Sequence, residues 1–341
     1  MKTVVPLSRQ LSWLSIISAV PRQLNNVTTP KLIKNCLIGI CLIVTLTGLA
    51  YAQTGQAGTD IAVLKAGVGA RPLGMGGAFT AIADTADAPY WNAGGLGFVT
   101  SSEITTMQTK LSTDADYYYV SFVKPFLGGT FGISWIQVGL GTISQTSSEV
   151  DQHNEVQNIN TFSYFSNAYL LSYGHKLNDN VAIGLTAKYL TSDMFEINGG
   201  SAYGYSLSPG IMFKPFTIHD SRFTIGAKID ELLNCQKWGT GTAEKVPPKA
   251  RLGIAISDLL YVNSKLAIDI SQTLRSTYSP ELALGFEINQ GPLSFRAGYA
   301  DSGITAGAGF KIGHAKVDYA FVNQTNLSRQ NTQRISLSGI W

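Results

Sequence analysis

The sequence predicts an all-β chain, a transmembrane antiparallel β-barrel of about fourteen strands with a glycine-rich N-terminal plug. Three observations predict it: apolar and small or polar residues alternate with a period of two, strand after strand, through residues 221–341; a secretory-type leader precedes the barrel; and an aromatic, Trp341, stands at the last position. In Arg222–Asp230, Phe223, Ile225, Ala227 and Ile229 take one face, and Arg222, Thr224, Gly226, Lys228 and Asp230 take the other. The first face suits lipid and the second a polar lumen. The split recurs in Leu252/Ile254/Ile256 against Arg251/Gly253/Ser257, in Leu282/Leu284/Phe286/Ile288 against Glu281/Gly285/Glu287/Asn289, and in Phe295/Ala297/Tyr299 against Ser294/Arg296/Gly298. One such strand would also suit a soluble sandwich; the repetition selects the barrel.

Residues 1–52 read as a signal peptide with an N-terminal extension. Lys31 and Lys34 form the basic region, Cys36 to Leu49 the apolar stretch, and Ala50-Tyr51-Ala52 the cleavage motif before Gln53. The apolar stretch is shorter than the ~20 residues of a membrane-spanning helix. A second apolar run, Leu11 to Val20, lies upstream. Removing 1–52 takes five of the 25 basic residues (Lys2, Arg9, Arg22, Lys31, Lys34) and none of the 22 acidic ones, so the net charge of +3 does not describe the mature chain. No basic patch with interleaved aromatics remains, and no nucleic-acid partner is expected. Of the three cysteines only Cys235 lies beyond the leader, too few for an intrachain disulfide.

Residues 53–102 are rich in glycine and alanine, with Gly67, Gly69, Gly74, Gly76, Gly77, Gly94, Gly95 and Gly97, and show no alternating run. They hold too few large apolar residues for a core of their own, so they are expected to fold against or inside the barrel. The barrel itself is expected over 103–341, with strands at about 103–111, 116–125, 129–138, 162–174, 180–192, 202–214, 221–230, 249–258, 264–272, 280–290, 292–300, 303–312, 314–323 and 332–341. Ten residues tilted near 45° cover roughly 23 Å, the height of an outer-membrane apolar band. An even strand count permits antiparallel closure. Asn178-Asp179-Asn180, Asn289–Pro292, Asp301-Ser302 and Gly313 read as short turns. Gly139 to Thr161, Thr191 to Ala202, Asn234 to Pro248 and Asn323 to Thr332 read as the longer, outward-facing connections, although short and long do not alternate perfectly. The last strand carries Ile335, Leu337 and Trp341 on one face, and Trp341 would anchor at the interface.

Val63 to Asp84, followed by Tyr90-Trp91-Asn92-Ala93-Gly94-Gly95-Leu96, resembles the opening of the PorV/PorQ family of outer-membrane proteins, relatives of the FadL-type long-chain fatty acid transporters. Asp318–Phe321 and Arg334–Ser338 fit the ending of the same family. The last strand, with Ile335, Leu337 and Trp341, itself resembles the terminal signal recognised by the barrel assembly machinery. The family resemblance implies that 53–102 thread into the lumen as a hatch, and that the partners are outer-membrane lipids and either a small hydrophobic ligand or a secreted protein. The family's Asn-Pro-Ala-Gly is Asn92-Ala-Gly-Gly95 here, and loss of the proline is expected to loosen that turn.

Arg71, Asp84, Asp87 and Asn92 are the candidate plug or gate residues. A lumenal Arg71 would need a carboxylate, from Asp84 or Asp87, but all four residues read somewhat more readily as turn and capping groups that hold the plug. Tyr117, Tyr118, Tyr119, Phe122 and Phe126, with Trp135, read more readily as membrane-facing girdle than as a ligand entrance. Ser147 to Asn160 could be a partner-binding loop. No catalytic residue, metal or cofactor is expected: His153, His175, His219 and His314 lack ligand spacing, Gly67-Val68-Gly69 does not complete a dinucleotide fingerprint, and Gly204–Ser208 lacks the last glycine of a nucleophile elbow.

Overall fold

The computed structural model describes residues 61–111, 114–150, 155–195, 197–215, 217–218, 221–259, 263–274, 279–300, 303–323 and 331–341. The segment read as a leader (1–52), with its Leu11 to Val20 run, residues 53–60 of the expected plug, the expected Asp301-Ser302 turn and most of the connection from Asn323 to Thr332 lie outside the described residues, as does the centre of Ser147 to Asn160.

The described strand segments form one sheet. Three are minor, Thr217–Ile218, Leu233–Trp238 and Ala243–Glu244. Fourteen make the wall: β1 (Glu103–Lys110), β2 (Asp116–Phe126), β3 (Gly129–Val150), β4 (Val156–Lys176), β5 (Val181–Met194), β6 (Ala202–Phe213), β7 (Ser221–Asp230), β8 (Lys249–Ser257), β9 (Ser264–Thr273), β10 (Glu281–Gln290), β11 (Leu293–Ala300), β12 (Gly303–Ile312), β13 (Ala315–Val322) and β14 (Thr332–Ile340). Each pairs antiparallel with its neighbours, and the wall closes where β1 meets β14, with Glu103 opposite Ile340 and Gln108 opposite Ile335. Ser102 and Trp341 exchange two backbone hydrogen bonds at 3.0 Å beyond that ladder. Closure leaves no row of unpaired N–H and C=O groups, which hydrocarbon would not tolerate.

The pleat sorts the side chains as the alternation demands. Thr224, Lys228 and Asp230 of β7 and Ser294 and Arg296 of β11 are buried in the lumen, while Leu252, Ile254, Phe295, Ile335 and Leu337 are exposed on the outer wall.

Two expectations need correction. Gly139 to Thr161 is not a loop: β3 and β4 run on as a hairpin, pairing Ile143 with Phe162, Gln145 with Asn160 and Val150 with Val156 across register shifts. In sequence, Ser, Thr and Asn fall at both odd and even positions of this stretch, which erases the period-two signal without preventing backbone pairing. The girdle assigned to Tyr117–Tyr119 is split by the pleat. Tyr117 and Tyr119 are fully buried in the lumen, and only the intervening positions face outward. The uneven loop pattern has a simple source as well, because β11 ends and β12 begins at the same end of the barrel as the long connections.

Candidate functional site

Residues 61–102 lie inside the lumen. They form a 3-10 turn (Ala62–Leu64), α1 (Ala70–Gly74), α2 (Ala88–Trp91) and a second 3-10 turn (Ala93–Phe98) before entering β1. Elements this short are not stable alone. Their apolar residues, Val63, Val68, Met75, Phe79, Trp91 and Leu96, make a common buried core with Tyr117, Tyr119, Ile136 and Leu170 of the wall. Tyr90 Oη donates to the Leu64 carbonyl (2.5 Å) and Trp91 Nε1 to that of Val68 (3.0 Å), tying the plug to itself.

Wall glycines let the plug backbone touch the strands directly. A Cβ on Gly184 would lie 2.2 Å from the Ala93 carbonyl, on Gly226 2.2 Å from that of Thr80, on Gly285 2.6 Å from that of Met75, and on Gly298 2.2 Å from the Gly76 nitrogen. Plug glycines answer them: Gly76 has φ +66°, and a Cβ there would sit 2.5 Å from the Tyr299 carbonyl. Wall side chains then satisfy plug amides. Asp269 accepts from Phe79 N (3.0 Å) and Thr80 N (2.8 Å), Ser336 Oγ from Ala70 N (2.9 Å) and Thr305 Oγ1 from Gly76 N (2.9 Å). Arg334 Nη1 donates to the Ala66 carbonyl at 2.6 Å.

Arg71 and Asp84 meet at 2.6 Å, but Arg71 is held equally by the wall, where Glu287 accepts from Nε at 2.8 Å and from Nη2 at 3.0 Å. From there charges alternate across the barrel: Glu287 to Arg296 at 2.6 Å, Arg296 to Asp318 at 2.8 Å, Asp318 to Lys316 at 2.9 Å, and at the other end Asp84 to Lys265 at 2.5 Å. Arg296 on β11 reaches Asp318 on β13 because Gly309 of the intervening β12 has no side chain; a Cβ there would be 2.4 Å from Asp318 Oδ1. The Asp84 side chain is 40% exposed; partial desolvation would raise its carboxyl, but Arg71 and Lys265 outweigh this and hold it below the ordinary carboxylate range.

Asp87 does not join this chain. It lies under Gly69, where a Cβ would approach its carboxylate to 2.6 Å, takes a long contact from Thr85 Oγ1 at 3.4 Å and interacts with the Tyr119 side chain. Burial, reinforced by the charge of Asp318, pushes its carboxyl up to about 6, against the pull of Arg71 and Lys316. The folded state therefore holds this proton more tightly than the unfolded chain. Below about pH 4 both states are protonated and the site costs nothing; as pH rises through 6 the folded protein must bury a charge. Asp87→Asn is expected to match the wild type at pH 4 and to exceed its stability by up to about 3 kcal/mol at pH 7, from roughly two units at 1.36 kcal/mol each. Thermal melts across that window check it.

Asn92 is a buried cap. Its Oδ1 accepts from Gly94 N (3.0 Å) while Nδ2 donates to the carbonyls of Thr80 (2.8 Å) and Ile211 (3.1 Å). The turn expected to loosen without a proline is fixed by these three bonds instead.

Above the plug, toward the long-connection end, lies a cavity of about 260 Å³. Ile61 and Ala62 form its floor, Tyr164, Ser166, Leu190, Ser192 and Met194 one wall, and Asn234, Gln236, Trp238 and Val246 the opposite one. Cys235 also touches it. The Leu233–Trp238 segment reaches this position because the chain bends at Glu231, φ +57°, so that β6 pairs with β7 at Gly210–Phe213 and with Leu233–Trp238 at Ala202–Leu207.

Glu287, Arg296, Asp318 and Asp269 were absent from the sequence candidates. The available signal was their place on the polar face of strands expected to be lumenal.

No protein-family model matches the chain, and no curated protein matches its sequence. Solved structures do. The toluene transporter TodX of Pseudomonas putida aligns with 14% identity over 80% of this chain and 97% of its own, at a TM-score of 0.54. The toluene transporter TbuX of Ralstonia pickettii gives 14%, 80%, 98% and 0.55, and a FadL homologue of Pseudomonas aeruginosa 12%, 78%, 96% and 0.50. At these identities the likeness is one of fold: this chain is built as FadL-type barrels are.

Proposed function

We propose that this protein is an outer-membrane channel that binds and passes small hydrophobic molecules, with residues 1–52 as its leader, 53–102 as its plug, and Ile335, Leu337 and Trp341 as the signal read by the barrel assembly machinery. The observation that carries the reading is the cavity between the first plug residues and the wall, where Ile61, Leu190, Met194 and Val246 stand beside the polar Ser166, Ser192 and Asn234. The fold shared with toluene transporters supports it. Arg71, Asp84 and Asn92 are the plug's fastenings in this reading, and Asp87 its proton-sensitive point. Cells of a diderm host making the protein are expected to accumulate radiolabelled toluene faster than cells making an unrelated barrel. Equal rates would refute the channel.

A second reading, a PorV/PorQ-like barrel that holds or shuttles exported proteins, has one observation in its favour. The β3–β4 hairpin extends beyond its neighbours, since β2 pairs with β3 only from Gly129 to Gly139. A stoichiometric partner lost on trimming that hairpin would favour this reading over the channel.

A further inference from the structure

Resting on the channel reading, we propose that the cavity takes an uncharged molecule bearing a hydrogen-bond acceptor and rejects carboxylates of equal chain length. Its hydrogen-bonding centre is a pair of buried hydroxyls, Ser166 and Ser192, 2.9 Å apart. Gln236 Nε2 donates to Ser192 Oγ at 3.2 Å, and Ser166 Oγ reaches the Thr191 carbonyl at 3.3 Å. Each hydroxyl has one proton and two lone pairs. When Ser166 donates to Ser192, the Ser192 oxygen accepts twice, and its own proton is available to an incoming oxygen. When Ser166 turns to Thr191, Ser192 donates to Ser166 instead. The pair can therefore offer a donor to a ligand or satisfy itself without one.

The charges around it select against anions. Among the described lining side chains none is a lysine or arginine, whereas Glu244 is a carboxylate that accepts from Trp238 Nε1 at 3.2 Å. Lys188, two residues before Leu190 on the same face of β5, is paired with Glu231 and lies 3.8 Å from Asp230. Lys228 and Arg251 also bind Asp230, at 2.5 and 2.6 Å. A ligand carboxylate would lose water, gain no free cation and meet Glu244. A neutral carbonyl or ether oxygen would lose little and gain the Ser192 proton.

The test is calorimetric titration of the full-length, processed protein in nanodiscs, against empty nanodiscs, with 2-octanone and with octanoate at pH 8. The ketone is expected to bind at least about tenfold more tightly. Ser192→Ala should weaken the ketone several-fold, and Glu244→Gln should strengthen octanoate several-fold and so narrow the gap between the two compounds. Octanoate binding as tightly as the ketone, or a ketone affinity indifferent to Ser192→Ala, overturns the selectivity and leaves the channel reading standing. Saturable binding of neither compound overturns both.

Discussion

Gly298→Val is expected to force the plug off the wall and leave a conducting lumen. Gly298 sits on β11 facing inward, and a Cβ there would come within 2.2 Å of Gly76 N, 2.3 Å of the Met75 carbonyl carbon and 2.7 Å of Thr305 Oγ1. Two of these are plug backbone, which has no rotamer to change. Overpacking of a compliant core costs ~1–3 kcal/mol, and an encounter with backbone belongs at or above the top of that range. The strand itself suits valine, so the barrel should still assemble. In planar bilayers the variant is expected to show large, steady conductance where the wild type shows little, and amides of residues 61–102 should lose hydrogen-exchange protection. Gly141→Ala, where a Cβ meets nothing within 4 Å, is the matched control and should behave as wild type. Equal conductance in all three proteins would mean that the plug is not held by the close approach described.

Arg71→Ala should release the same plug by an electrostatic route. The substitution removes the guanidinium shared by Asp84 and Glu287. Breaking a buried pair by deleting one partner typically costs ~3–5 kcal/mol, because the other charge stays behind without compensation. Glu287 retains Arg296 and Asp84 retains Lys265, so a loss near the lower end, about 3 kcal/mol, is expected. The measurement is the denaturant midpoint for protease cleavage within 61–102, compared with that for loss of barrel structure. The plug transition should move and the barrel transition should hardly change. Arg71→Lys should rescue only partly, since one ammonium cannot bond Glu287 through two nitrogens as Arg71 does. Salt should not reproduce the variant, because screening is weak inside the lumen.

The two variants bear on one feature from opposite sides. The glycines bring plug and wall backbone into direct contact at several points, and the charge chain then fixes the register in which the two surfaces meet. Neither device would suffice alone: smooth backbone contact has little orientation preference, and ion pairs of long side chains tolerate displacement.

The strand period, the closure parity and the sidedness of the wall were legible in the sequence because they are local. A residue's face follows from its neighbours two positions away, so Lys228 and Arg296 could be assigned to the lumen before any coordinates. The same locality misled where both faces are polar, as in Gly139 to Thr161, and where one run of aromatics serves two faces, as at Tyr117 to Tyr119. The glycine content of the plug announced close approach without saying to what. That Gly76 answers Gly298, that Asp269 receives the amides of Phe79 and Thr80, and that Arg71 binds Glu287 as well as Asp84 are facts about residues some two hundred positions apart. Alternation determines which way each side chain points, and so the barrel and its polar interior belong to the sequence alone. Which inward groups converge depends on strand stagger and on the path of a plug with no periodicity, so the charge chain, the cavity and its hydroxyl pair were decided only when the wall closed around that plug.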